Sequence, residues 1–267
     1  MTYVHNYRNP AVLWLTLAVL TLSLVASVGG IFLDNLYKDN DFIKTAWLAN
    51  DFVTLFIAPL LIVALALQKR GDERGLLLWM GVMLYMFYNY AFYLFGAKFN
   101  SFFLIYVSLF SLSLYSIVVG LLTVNIHAIQ ENAKRNKTKV VISLFLFLLA
   151  VPLTIVEIKE CVAFIMSGRT PEVPTLIFAL DLSTVVPTTI LAAILLLKNR
   201  PWGNVVAMMV LVKAFAYGLV LVTGSLLINT SGVGHFDPLL PFYAFLVVGG
   251  LLFGLLLFKD LKPNVNY

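Results

Sequence analysis

The chain has 267 residues, of which 61% are hydrophobic and 12% charged, with a mean hydropathy of +0.95. Soluble domains carry about 25% charged residues, so this composition excludes a soluble globular fold and predicts an all-α membrane protein. The formal net charge of +5 is spread singly or in short clusters between apolar runs, which reads as topology signal and excludes a nucleic-acid-binding patch.

In chain order the apolar stretches cover residues 11–33, 46–67, 75–96, 101–126, 138–161, 176–197, 203–228 and 240–258. Each is close to the ~20 residues needed to cross a bilayer as a helix, which predicts eight transmembrane helices in one membrane domain. The first stretch exceeds the ~7–15-residue core of a secretory signal and is read as a span. Between the stretches lie a charged segment at 34–44, a tight polar turn at 71–74, a basic segment at 131–139 and a segment at 168–174 with one glycine and two prolines.

Lysine and arginine set the expected orientation, because positive loops are retained in the cytoplasm. With the N-terminus inside, the inner segments hold Arg8, Lys69, Arg70, Arg74, Lys134, Arg135, Lys137, Lys139, Lys198, Arg200, Lys259 and Lys262, whereas the outer ones hold only Lys38, Lys44, Lys98 and Arg169. The expectation is a multi-pass protein of the cell membrane with both termini cytoplasmic.

The sequence also repeats itself. Asp51-Phe-Val-Thr54 is followed nineteen residues after the aspartate by Arg70, and Asp181-Leu-Ser-Thr184 is followed at the same distance by Arg200. Gly75 and Gly203 open the next spans, Gly96 and Gly224 stand twenty-one residues further on, and Phe99-Asn100 through Tyr106 matches Phe236-Asp237 through Tyr243. These matches predict a 4+4 parallel internal repeat, residues 1–130 against 131–267, about a pseudo-two-fold axis along the membrane normal.

Ionisable groups inside spans are costly, at ~2.5–3.5 kcal/mol on insertion scales, and mark candidate sites. They are Asp51, Glu157, Glu160, Asp181 and Lys213. The two aspartates can also be read as N-caps of shorter helices, and Glu157 and Glu160 as the outer interfacial end of the fifth span. Lys213 has no such reading, because its backbone lies too deep for any shift of boundaries to bring it out; the alternative for it is snorkelling along a lipid-facing groove.

In the repeat alignment Lys213 corresponds to Tyr85 and Tyr217 to Asn89. A polar pocket of Tyr85, Asn89, Lys213 and Tyr217 is therefore expected, with Asp51 and Asp181 above it and Asp181 as the partner of Lys213. Tyr90 and Tyr93 are read as an outer aromatic belt, and Ser108, Ser111, Ser113 and Ser116 as helix-packing surface. His5, His127 and His235 are dispersed and Cys161 is the single cysteine, so neither a metal site nor a cofactor is expected.

The phrase Tyr88-Asn-Tyr-Ala-Phe-Tyr-Leu-Phe-Gly-Ala-Lys-Phe-Asn100 resembles a stretch of uncharacterised prokaryotic multi-span membrane proteins, a resemblance that implies no activity. No hydrolase elbow, zinc-protease or phosphate-loop motif occurs. Three functions remain: a carrier of a small solute or ion opening toward the outer face, a non-transporting sensor or partner subunit, and a lipid-modifying enzyme. The partners read from the chain are bilayer lipid and a small solute or ion, and the oligomeric state is not legible.

Overall fold

The computed structural model describes residues 10–132, 137–171 and 174–261, and side chains at all of these except 131 and 132. Arg8, Lys134, Arg135 and Lys262 of the basic count, His5, and residues 172–173 of the 168–174 segment lie outside the described residues. Among the described residues eight helices are long and apolar enough to cross a bilayer: α1 Pro10–Phe32, α2 Asp41–Lys69, α3 Glu73–Phe95, α4 Phe103–Thr123, α5 Lys137–Ser167, α6 Thr175–Leu197, α7 Pro201–Thr230 and α8 Leu240–Asp260. The protein is therefore an all-helical, multi-pass membrane protein.

The helix starts follow local chemistry. α2 begins at Asp41, before the expected position, because Asn40 caps it by accepting the Ile43 amide at 2.9 Å. Asp72 caps α3 through the Arg74 amide at 3.0 Å. Asp51 and Asp181 are thus not caps: both sit well inside their helices. Glu157 likewise is not at a helix end, since α5 continues to Ser167.

Prolines interrupt two spans near these acids. Pro59 breaks α2 after Ile57, because its ring cannot donate to the preceding turn. In α6 the chain forms a π-helical turn over Asp181–Val185, where the Val186 amide reaches back to the Asp181 carbonyl, and Pro187 follows directly. The widened turn absorbs the proline and sets the direction of the Asp181 side chain.

α3 and α7 form the centre. α3 packs on α2, α4 and α7, and α7 packs on α2, α3, α6 and α8. α1 lies on α2 and α4, and α5 on α6 and α8. The connections into the central helices are tight: Gly71 (φ 74°) and Asn199 (φ 50°) both turn the chain in the left-handed region. One turn later a Cβ on Gly75 would stand 2.6 Å from the Ala64 carbonyl oxygen, and one on Gly203 would stand 2.5 Å from the Leu196 nitrogen. Asn100 and Asp237 each accept the amide two residues ahead, Phe102 at 2.9 Å and Leu239 at 2.8 Å, as the chain enters α4 and α8.

The ends are tied together across the fold. Arg74 pairs with Asp72 at 2.6 Å, stacks 4.5 Å over the Phe258 ring and points its guanidinium at the Phe258 and Leu261 carbonyls, fastening the start of α3 to the end of α8. Lys139 donates to Asn199 at 2.8 Å, fastening α5 to the α6–α7 turn. α7 has 30 residues and α5 has 31, against 23 in α3.

Because the atoms facing Gly203 are backbone, they cannot turn aside. Gly203→Val is expected to lower stability by about 1–3 kcal/mol through overpacking, read from denaturant unfolding in detergent micelles.

Candidate functional site

α3 is the most deeply enclosed span although its sequence is rich in polar groups. Tyr85, Asn89 and Tyr93 recur every four residues and share one face, while Tyr88 and Phe92 share the next. Tyr85 and Asn89 are fully buried, and Tyr88, Tyr90 and Tyr93 are nearly so. A phenol or amide taken out of water requires a partner, so both faces of α3 must meet polar groups of neighbouring helices.

The first face meets Asp51. Tyr93 donates to Asp51 Oδ1 at 3.0 Å, and its oxygen also lies 3.2 Å from the Trp47 carbonyl. Tyr37, from the segment joining α1 to α2, donates to Asp51 Oδ2 at 2.6 Å. Burial and the neighbouring Asp51 carboxylate push the Tyr37 hydroxyl far above its ordinary value, so it remains a donor. One turn along α2, Thr54 shares a hydrogen bond of 2.9 Å with Tyr85 and receives the Asn89 amide at 3.3 Å.

Aromatic rings close around this centre. Tyr93 lies 4.8 Å from Trp47, 4.9 Å from Tyr106 and 5.5 Å from Tyr90, centroid to centroid. Trp47 donates to Asp39 at 3.1 Å, which also accepts the Lys98 amide, so the two outer segments are latched over the cluster. Asp51 itself is 2% exposed.

The second face meets Asp181, Glu157, Lys213 and Tyr217. The Lys213 amine sits 3.6 Å from the centre of the Tyr88 ring and 5.1 Å from that of Tyr217. The Tyr88 hydroxyl donates to Asp181 Oδ1 at 2.5 Å, and Tyr217 packs edge-on against Tyr88 at 4.7 Å. Glu157 turns its carboxyl toward that of Asp181, and its Oε2 is buried without a hydrogen-bond partner among the described residues. A recess of about 40 Å³, lined among others by Leu84, Tyr88, Thr184, Thr188 and Lys213, adjoins the amine.

The seven residues marked by the sequence therefore divide into two centres on adjacent faces of α3: Asp51, Tyr85 and Asn89 in one, and Asp181, Glu157, Lys213 and Tyr217 in the other. The expected direct pairing of Lys213 with Asp181 is not made. Among the described residues no carboxylate oxygen lies within 4 Å of the amine, and Tyr88 stands between the two groups. The amine ends on the aromatic faces of Tyr88 and Tyr217.

Tyr90 and Tyr93 are not an interfacial belt, since both are buried. Ser113 and Ser116 are buried in the α4 packing surface, while Ser108 bonds back to its own helix. Tyr37, Trp47, Tyr88 and Tyr93 were missed as site residues. The only advance signal was the density of tyrosine in α3, which exceeds what a lipid interface requires.

A bundle of apolar helices enclosing carboxyls, an amine and phenols defines a polytopic integral membrane protein with a polar interior. Comparison with protein-family models, curated proteins and solved structures found no match.

Tyr88 holds both ends of the second centre, and its two contacts can be removed separately. Tyr88→Phe should cost about 0.5–3 kcal/mol through the lost bond to Asp181. Tyr88→Leu should cost a further ~0.5–2 kcal/mol through the lost cation–π contact. Unfolding of the two variants in micelles, compared with wild type, checks the order.

Proposed function

We propose that the protein carries a small solute or ion across the cell membrane, with Asp181, Glu157 and Lys213 as its binding groups and Tyr88 and Tyr217 as their supports. The observation behind this reading is a cluster of two carboxyls and one amine, inside the membrane, that does not close into an ion pair. With its amine charged, such a cluster is neutral only when the carboxyls hold one proton between them or a monovalent cation joins them. A purely structural charge would be expected to meet its counterion directly.

Exposure separates the two centres. Glu157, Asp181 and Lys213 retain 5%, 8% and 9% of their surface, against 2% for Asp51 and none for Tyr85 and Asn89. We infer from this that the second centre is the more accessible of the two. We read this as access from the outer face, with both termini in the cytoplasm. The recess next to Lys213 has room for a small ion or one or two water-sized molecules, so a larger solute requires the helices to part.

We further infer a 4+4 arrangement, which accords with this reading. The left-handed turns at Gly71 and Asn199, the close approaches at Gly75 and Gly203 and the matching bonds of Asn100 and Asp237 occur in the same order in both halves. In our reading residues 1–130 and 131–267 are parallel repeats whose interface, between α3 and α7, is the place where carriers of this design hold their substrates.

A ligand that binds only the folded state stabilises it, by about 2.7 kcal/mol at a hundredfold excess over Kd. Thermal unfolding in detergent against monovalent cations, amines, amino acids and carboxylates should find a stabilising ligand for wild type. Asp181→Asn and Lys213→Met should lose that response, while the lipid-facing control Trp14→Ala keeps it. A polypeptide co-purifying at fixed stoichiometry, with no response to any solute, would instead favour the partner-subunit reading. For orientation, a cysteine placed beside Lys262 should react with impermeant reagent only after the cytoplasmic side is opened.

A further inference from the structure

We propose that Asp51 is a proton-binding site, sealed on its outer side by Tyr37, and that the protein loads and unloads a proton there. The proposal deepens the carrier reading by naming the proton as the coupling ion, and rests on that reading only for what the proton drives.

The hydrogen bonds around Asp51 accommodate either protonation state. Tyr93 has one hydroxyl hydrogen and two acceptors, Asp51 Oδ1 at 3.0 Å and the Trp47 carbonyl at 3.2 Å. With Asp51 ionised, Tyr93 donates to the carboxylate. When a proton joins Oδ1, the new hydroxyl donates to the Tyr93 oxygen, and Tyr93 turns its hydrogen to the Trp47 carbonyl. No bond other than the O–H bond forms, no heavy atom moves, and every group keeps a partner. Tyr37 donates to Oδ2 in both states.

Nothing else at the site supplies the compensating charge. α1 presents Ser27 and Gly30, the α1–α2 segment Tyr37, α2 Trp47 and Thr54, α3 Tyr85, Tyr90 and Tyr93, and α4 Tyr106. α7 approaches α2 through Gly224 against Ala49. All of these are neutral. Among the described residues no lysine, arginine or histidine nitrogen lies within 4 Å of Asp51.

The site has no room for a larger cation. A side-chain carbon built on Gly30 would collide with Asp51 Oδ2 and the Tyr37 hydroxyl, so the carboxyl lies directly against the α1 backbone. A metal ion requires several oxygen ligands arranged around it, typically six or so for the common hard divalent ions. Here both carboxyl oxygens already accept phenols, and the remaining neighbours are the Ser27 and Thr54 hydroxyls and aromatic rings packed around them. Only the proton neutralises Asp51 without displacing an atom.

The test is difference infrared spectroscopy of the protein in lipid nanodiscs across a pH titration, which reads protonated carboxyls directly. A carboxylic C=O band should appear as pH falls, vanish in Asp51→Asn and persist in Asp181→Asn. It should also change frequency in Tyr37→Phe and in Tyr93→Phe, two variants that keep the packing if Asp51→Asn does not fold. Spectra of Asp51→Asn identical to wild type at every pH, or a band unmoved by both tyrosine variants, would overturn the proposal. An Asp51 band in a protein that no solute stabilises leaves the proton site standing and removes the carrier reading. Solute binding without the band removes the proton site alone.

Discussion

A bilayer supplies no hydrogen bonds, and α3 carries polar groups on two adjacent faces. That conflict organises the molecule. Turned to lipid on either side, α3 would leave phenols or an amide without partners, so it must stand where other helices surround it, and those helices must bring acceptors. Asp51 and Thr54 on α2 answer one face, and Asp181 on α6 with Lys213 and Tyr217 on α7 answer the other. The remaining spans, apolar nearly all round, complete the enclosure and meet the lipid.

The two acids are held by the same device to different ends. Each receives a tyrosine of α3, Tyr93 for Asp51 and Tyr88 for Asp181. At Asp51 a second tyrosine and a ring of aromatics complete the coordination and close the site. At Asp181 the π-helical turn brings the carboxyl beside Glu157, and the Tyr88 ring receives an amine on its face, so three ionisable groups are left sharing one small volume. α3 is the common wall between the two centres.

The number and approximate limits of the spans were legible because hydrophobicity over ~20 residues is imposed by the bilayer itself. The burial of Lys213, Tyr85 and Asn89 was legible from depth. Helix starts were less so: Asn40 caps α2 within a segment whose charges resemble a loop, and this hid the fact that Asp51 is mid-helix. The partner of Lys213 was not legible, since the sequence places residues along a helix but does not fix rotation about its axis. That rotation decides that Tyr88, and not Asp181, meets the amine. Tyr37 was invisible for a related reason: it belongs to a connecting segment, and its role depends on how that segment folds back over the bundle.

The unequal lengths of the helices carry a mechanical consequence. At about 1.5 Å per residue, the 30 residues of α7 and 31 of α5 run to roughly 45 Å, while the 23 of α3 span about 35 Å, near the thickness of the hydrocarbon layer. α3 is therefore matched to the membrane, while α5 and α7, like the 29-residue α2, must lean or stand proud of it. Thickening the bilayer favours upright long helices, and thinning it favours their tilt, at a cost of fractions of a kcal/mol per ångström of mismatch. Glu157 and Lys213 ride on α5 and α7, so two of the three charged groups of the second centre stand on spans that overreach the hydrocarbon layer.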